Sequence, residues 1–247
     1  MSRQITLHHL NASRSDRIFW VLEELQLPYS VVVHFRLPTR SAPPSLLKIS
    51  PTGKAPALTI DNTQTITESA YIIHKLLTLP EIKEKSHKGE IDVEVDETDD
   101  NVFWSHFSEG SMMNLFQASA IVQATGQAWL NGAAGELSEE GKNVIGKYTG
   151  FVAKQYLGPQ MQGTIDLAES FISKSKGGWF SGTEKPGQGD FMMFFAINSL
   201  IAGTRAAAGF NIGSGLKGWY ERVMSRPAAQ KAQQRLKDEE ENAKSKI

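Results

Sequence analysis

The sequence predicts an α/β unit over residues 1–82, a charged linker over 83–96 and an all-helical unit over 97–247. Three observations predict this division. Short β-branched runs alternate with an amphipathic helical pattern in the first third of the chain. Composition then turns to charge between Pro80 and Asp100, in EIKEKSHKGEIDVEVDETDD, as a solvated connection does. Beyond residue 101 helical periodicity continues without a convincing strand.

Residues 4–9 read as a strand in which Ile5 and Leu7 alternate with polar neighbours. The turn 11–17 is rich in N-cap residues, and Ser15 is expected to cap the next helix. Ile18, Val21, Leu22 and Leu25 make one apolar stripe at i, i+3, i+4 and i+7, and Pro28 ends the helix. The aromatic and β-branched run 29–35 gives a second strand. Residues 38–44 form a loop and 45–49 one helical turn. Residues 57–60 and 64–66 form a hairpin about Asp61-Asn62, and 69–79 a third helix. The order β-α-β-α-β-β-α is that of a thioredoxin-like domain. In the second unit helical patterns occupy roughly 101–125, 137–157, 161–175, 190–206, 214–224 and 227–240. The continuous run Phe191 to Phe195 reads as a buried central helix. Its start carries Gly187 and Asp190, half of a capping box. The charged tail 237–247 is expected to fray. No contact is assigned to the Gly- and Ala-rich stretch 126–136.

Composition excludes several functions. The net charge is −1, which suggests neither nucleic acid nor an anionic membrane as partner. No apolar run reaches membrane-spanning length, and residues 1–5 show no secretory or transit pattern, so a cytoplasmic protein is expected. The chain has no cysteine, which rules out disulfides, thiolate metal sites and a thiol nucleophile of its own. The six histidines show no HExxH or HxxEH spacing, and no metal is expected.

The chemistry is expected around Ser50 to Leu58, SPTGKAPAL. Pro51 and Gly53 are turn residues. Pro56 stands where a strand should begin, although proline cannot donate to a ladder. A cis Ala55–Pro56 bond there would turn the Ala55 backbone outward, free to pair with an extended peptide. Thr67-Glu68-Ser69-Ala70 then opens a helix whose N-terminus suits a carboxylate. The plainer reading of both stretches is a hairpin corner and a capped helix.

SPTGKAPAL followed by TITESAYIIHKLL resembles the glutathione-binding half of a thioredoxin-like domain in the glutathione transferase superfamily. NVFWSHFSEGSMMNLF, GQGDFMMFFAIN and LKGWYERVMSRPAAQKA resemble later motifs of the same superfamily, and the opening HHLNASRSDRIFWVLEELQLPYSVV fits a fungal and bacterial branch related to the yeast microsomal-associated enzymes. Within that branch the chain most resembles the fungal-specific transferases of wood-decay fungi, with their serine-type first loop. The resemblance implies glutathione as co-substrate and no metal. It also implies a homodimer built on helices three, four and five of the family.

The resemblance assigns roles. Ser13, four residues before Arg17, would donate a hydrogen bond to the glutathione sulfur. A free thiol has a pKa of about 8.5, and lowering it by about two units takes roughly 2.7 kcal/mol. A hydroxyl at the positive end of a helix contributes that kind of help. Asn11 is the competing donor, and Ser13 could instead only cap the helix. Lys54 would meet the glycine carboxylate, with Arg40 as a second cation, and Arg14 would reach ligand or solvent. Arg17 would meet ligand or form a structural ion pair. Ala55 and Pro56 would present backbone to the cysteinyl unit. Glu68 would accept the γ-glutamyl ammonium, and Ser69 would bind the γ-glutamyl carboxylate. Trp104, Phe107, Ser108 and Met112 would line the pocket for a hydrophobic or aromatic second substrate, their alternative being ordinary core. The expected activity is conjugation of glutathione to small hydrophobic electrophiles in detoxification, or reduction of peroxides. The alternatives are a ligandin that sequesters aromatic or phenolic compounds, and a non-catalytic regulatory relative.

Overall fold

The computed structural model describes residues 3–246. Four strands form one mixed sheet in the order β2-β1-β3-β4. The central strand β1 (Ile5–Leu10) runs parallel to β2 (Ser30–His34), with Leu7 opposite Val31, and antiparallel to β3 (Ala57–Ile60), with Leu7 opposite Leu58. The parallel pair is joined by the crossover helix α1 (Asp16–Glu24). β3 and β4 (Gln64–Thr67) form a hairpin whose turn residues Asp61 and Asn62 both have positive φ, 51° and 54°, as a type I′ turn requires.

Strand alternation divides the sheet into two faces. Ile5, Leu7 and His9 face α1, where His9 meets the edge of Phe19 at 5.4 Å between ring centroids. Thr6, His8 and Leu10 lie on the other face, where α2 (Pro44–Leu47) is tied down by a 2.9 Å hydrogen bond between Ser45 Oγ and His34 Nδ1. His8 and His34 lie side by side there, ring centroids 5.8 Å apart. Helices α3 (Ser69–Leu77) and α4 (Pro80–His87) complete the first half.

The second half is helical: α5 (Asp99–Phe107), α6 (Asn114–Leu130), α7 (Glu139–Phe151), α8 (Gly158–Ile172), α9 (Gln188–Ile201), α10 (Ser214–Ser225) and α11 (Pro227–Lys244). α9 is the core element. Phe191, Met192, Met193 and Phe194 are all buried, and Phe191 and Phe194 both pack on Trp20 of α1. Its first turn is anchored by Asp190, which accepts from the N–H groups of Phe180 (2.8 Å), Ser181 (3.0 Å) and Gly187 (2.9 Å) and from Trp219 Nε1 (2.8 Å). The capping contact expected at Gly187 is therefore one of four. Burial still holds this carboxyl above the usual range, at about 6.

Four sequence expectations change. The stretch expected as linker contains the second half of α4. Past the helix, Ile91, Val93 and Val95 alternate into the core while the charged residues between them face outward. Charge was the visible feature; the period-2 apolar set beneath it decides the path. The tail does not fray at residue 237. α11 continues to Lys244, because Arg235 Nη2 donates to the Tyr29 carbonyl at 2.6 Å and Glu240 meets buried His9 at 2.9 Å. The Gly- and Ala-rich stretch 126–136, placed between two helical patterns without a contact, begins as helix, since α6 runs to Leu130, and Gly126 abuts α7 where a Cβ would collide with Thr149. Finally, two stretches expected as α-helix are π-helical, residues 108–113 and 152–157. Among the described residues no helix is long and apolar enough to cross a membrane.

Candidate functional site

The two halves enclose a cavity of about 750 Å³. Its base is Leu10, where β1 ends, and the loop carrying Ala12, Ser13 and Arg14. One wall is the loop and α2 region from Arg36 to Leu47, continued by residues 52–55, including Lys54 and Ala55. The opposite wall is helical, from Met113, Gln117, Ala120 and Phe195, with Arg205 from the turn after α9. The structure thus brings together Ser13, Arg14, Arg40, Lys54 and Ala55 from three separate stretches of sequence.

Ser13 sits just ahead of α1 and is buried. Its Oγ lies 2.8 Å from Ser15 Oγ and accepts from the Ser15 N–H at 3.3 Å. Either hydroxyl can donate in this contact; when Ser15 donates, the Ser13 proton can reach a further acceptor in the cavity. Ser15, expected as the cap of α1, makes no side-chain capping bond. Its hydroxyl is engaged by Ser13 instead. Asn11 does not line the cavity. Its Oδ1 accepts from the Arg36 N–H at 2.8 Å and its carbonyl from Arg36 Nε at 3.2 Å, so it fastens the two loops together.

The Ala55–Pro56 peptide bond is cis. The β1–β3 ladder ends at His8 and Ala57, and among the described residues the Ala55 backbone makes no turn or loop hydrogen bond with other backbone. Gly53 has φ +65°, and a Cβ there would lie 3.0 Å from Ala42 and 3.1 Å from Leu47, so this loop closes against α2 only with glycine. Pro56 is buried behind the corner, while Lys54 is exposed. Glu68 and Ser69 stand at the start of α3 and are not part of the cavity lining. Glu68 has φ +68° and ψ 115°, a conformation that costs a non-glycine residue about 1–3 kcal/mol.

The residues expected to line an acceptor pocket lie elsewhere. Trp104 is buried among Phe107, Phe171 and Phe180, Ser108 Oγ donates to the Met192 carbonyl at 2.7 Å, and Met112 is fully buried. Phe107 is half-buried and stacked on Phe103 at 5.8 Å. None of the four lines the cavity. The predicted face is real, but it packs on α9. The π-helical segment shifts the register, because its i→i+5 turns hold more residues than α turns. Met113, Gln117 and Ala120, at i, i+4 and i+7, form the face that meets the cavity. Phe195, expected in the core with its neighbours, is half-buried and also lines it.

The same segment carries Glu109, which no local sequence pattern marks. It meets Arg14 Nε at 3.0 Å and Arg17 Nη1 at 2.6 Å. Arg17 is fully buried and is the structural ion pair. It also meets Met192 Sδ at 3.5 Å and the Phe195 ring at 5.8 Å, and among the described residues its Nε and Nη2 have no hydrogen-bond partner. Burial pulls its pKa below the ordinary arginine value, and Glu109 opposes this. Arg36 and Arg205 are likewise unmarked in the sequence; Arg205 lies in the turn after α9 that leads into a short 3-10 turn. Among the described residues no Asp or Glu lines the cavity, and no three His, Asp or Glu side chains cluster as a metal site.

Comparison with known proteins agrees with this geometry. Residues 7–84 match the pattern described as glutathione S-transferase, N-terminal domain. The chain is 30% identical over 236 residues to glutathione S-transferase 3 of Schizosaccharomyces pombe, covering 95% of this chain and 88% of that protein. A glutathione S-transferase of Actinobacillus pleuropneumoniae has a crystal structure that superposes with a TM-score of 0.63 at 26% identity, covering 94% of this chain and 92% of that one. A glutathione transferase of Phanerochaete chrysosporium, crystallised with oxidized glutathione, shares the fold with a TM-score of 0.65 at 18% identity, over 96% and 97% of the two chains. With a thioredoxin-like half, a helical half and a cavity between them in place, the chain belongs to the glutathione S-transferase family.

Proposed function

We propose that this chain binds glutathione along the Lys54–Ala55 edge of the cavity and conjugates it to small electrophiles held against the helical wall. The observation that carries the reading is the convergence of Ser13, Lys54 and the Ala55 backbone on one cavity. The tripeptide would extend the sheet edge at Ala55 and place a carboxylate near Lys54 and Arg40. Its γ-glutamyl end would reach Glu68 and Ser69, where the strained Glu68 backbone supports a ligand role. Its sulfur would meet Ser13, with the Ser15 hydroxyl turned to donate to Ser13. The serine stabilises thiolate at the positive end of α1. Co-crystallisation of a related transferase with oxidized glutathione supports the choice of ligand.

The test is Ser13→Ala, assayed with glutathione and 1-chloro-2,4-dinitrobenzene. The expected result is a fall in kcat of about tenfold to a hundredfold with little change in glutathione affinity, as for an interaction made mainly with the thiolate. Unchanged turnover removes Ser13 from the chemistry. Negligible wild-type turnover with retained aromatic binding favours the ligandin reading. A homodimer belongs to the same reading. Tyr71, Val102 and Phe103 are exposed apolar side chains on α3 and α5 and support a partner there.

A further inference from the structure

The cavity holds more positive charge than glutathione needs. Five cationic side chains line it: Arg14, Arg36, Arg40, Lys54 and Arg205. Arg14 pairs with Glu109, a carboxylate it shares with Arg17. Arg36 is turned onto the carbonyls of Asn11, Ala12 and Arg40. Lys54 and Arg40 lie on the glutathione side and have glutathione's own carboxylate to meet. Arg205 is different. It stands on the helical wall with Met113 and Phe195, across from the glutathione edge.

Arg205 is held in place without an acid. Its Nη2 donates to the Phe116 carbonyl at 3.2 Å, its Nη1 to Ser199 Oγ at 3.3 Å, and its guanidinium lies over the Phe116 ring at 4.7 Å. Among the described residues no carboxylate pairs with it. Burial, and secondarily the nearby Arg14 charge, pull its pKa below the ordinary arginine value. A half-buried guanidinium, fixed by a ring and a carbonyl and lining the cavity beside Met113 and Phe195, is a prepared anion receptor.

We propose that the acceptor used at this site carries an anionic group, in practice a carboxylate on an aromatic or unsaturated electrophile, and that Arg205 selects it. The inference rests on the transferase reading for the reaction but not for the binding. Met113 and Phe195 would take the apolar body and Arg205 the carboxylate. For an enone acceptor the glutathione thiolate adds to the terminal alkene carbon and a C–S bond forms. The alkene electron pair moves into an enolate, and a solvent proton ends on the carbon beside the carbonyl. The thiol proton has already gone to solvent, and nothing leaves.

The test compares ethacrynic acid with its methyl ester, in which the carboxyl group is remote from the enone. Wild type, Arg205→Gln and Arg205→Lys are assayed. Calorimetry in parallel measures the unreactive 2,3-dichlorophenoxyacetate against its N-methylamide, with S-methylglutathione present. Wild type is expected to prefer each acid by about tenfold to a hundredfold, the range of a hydrogen bond to a charged group. Arg205→Gln should lose most of that preference, and Arg205→Lys should keep part of it, as a point charge without the planar fork. Equal treatment of acid and neutral analogue by wild type overturns the proposal. So does a preference that survives Arg205→Gln, or an Arg205→Gln change that weakens S-methylglutathione as much as the acid. Selective binding of the acid through Arg205 with no turnover of either electrophile keeps the anion site and removes the transferase reading. Equal turnover of acid and ester, with equal binding of the unreactive pair, does the reverse.

Discussion

Replacing Glu109 by glutamine should cost stability out of proportion to its surface position. The perturbation removes the one carboxylate that meets the fully buried Arg17, at 2.6 Å. The glutamine amide oxygen can still accept from Arg17 Nη1, but the buried charge loses its counter-charge, with a methionine sulfur at 3.5 Å beside it and, among the described residues, no partner for Nε and Nη2. Breaking a buried ion pair by deleting one member typically costs about 3–5 kcal/mol. Glu109 is 37% exposed, so water softens the loss, and about 2–4 kcal/mol is expected. Urea denaturation monitored by tryptophan fluorescence measures this as a shift in midpoint at constant slope. The double variant Arg17→Met/Glu109→Gln should recover at least half, because Met192 and Phe195 already offer Arg17 an apolar surround and a buried pair is often replaceable by apolar side chains. A Glu109→Gln loss under about 1 kcal/mol, or a double variant less stable than the single one, refutes the argument.

Two further outcomes are expected from buried polar groups. Asp190→Ala leaves four N–H donors without an acceptor. At about 1–3 kcal/mol each, that loss is comparable to the whole stability of a domain, so the variant is expected to fail to accumulate as folded protein; wild-type-like melting would contradict this. Burial holds His8 and His34 below the ordinary value of 6.5, and neighbouring imidazoles lower His34 further. As pH falls below about 6.5 the unfolded chain takes up protons that the folded chain refuses, so stability present at neutral pH is lost on acidification. Tm measured between about pH 7.5 and 5.5 should fall less steeply in a His8→Asn/His34→Asn variant than in wild type; parallel curves exclude the pair as the source.

The features that the sequence determined by itself are local. The stripe Ile18, Val21, Leu22 and Leu25 gives α1, the β-branched run gives β2, and Asp61-Asn62 gives the hairpin, because each signal is complete within a few residues. The SPTGKAPAL corner and the Ser13 loop are legible for the same reason: their turn chemistry is local. The tertiary structure decided which face of a helix meets which neighbour. Trp104, Ser108 and Met112 share a genuine buried face, yet the π-helical segment rotates the helix beyond it, so that face turns to α9 and Met113, Gln117 and Ala120 turn to the cavity. The charged stretch after α4 likewise conceals Ile91, Val93 and Val95, whose burial depends on a core assembled elsewhere. Arg17 and Arg205 look alike in sequence. One meets Glu109 and is structural, the other meets no acid and faces the cavity, because a side chain's charge is fixed by its identity while its partner is fixed by residues about ninety positions away in the chain.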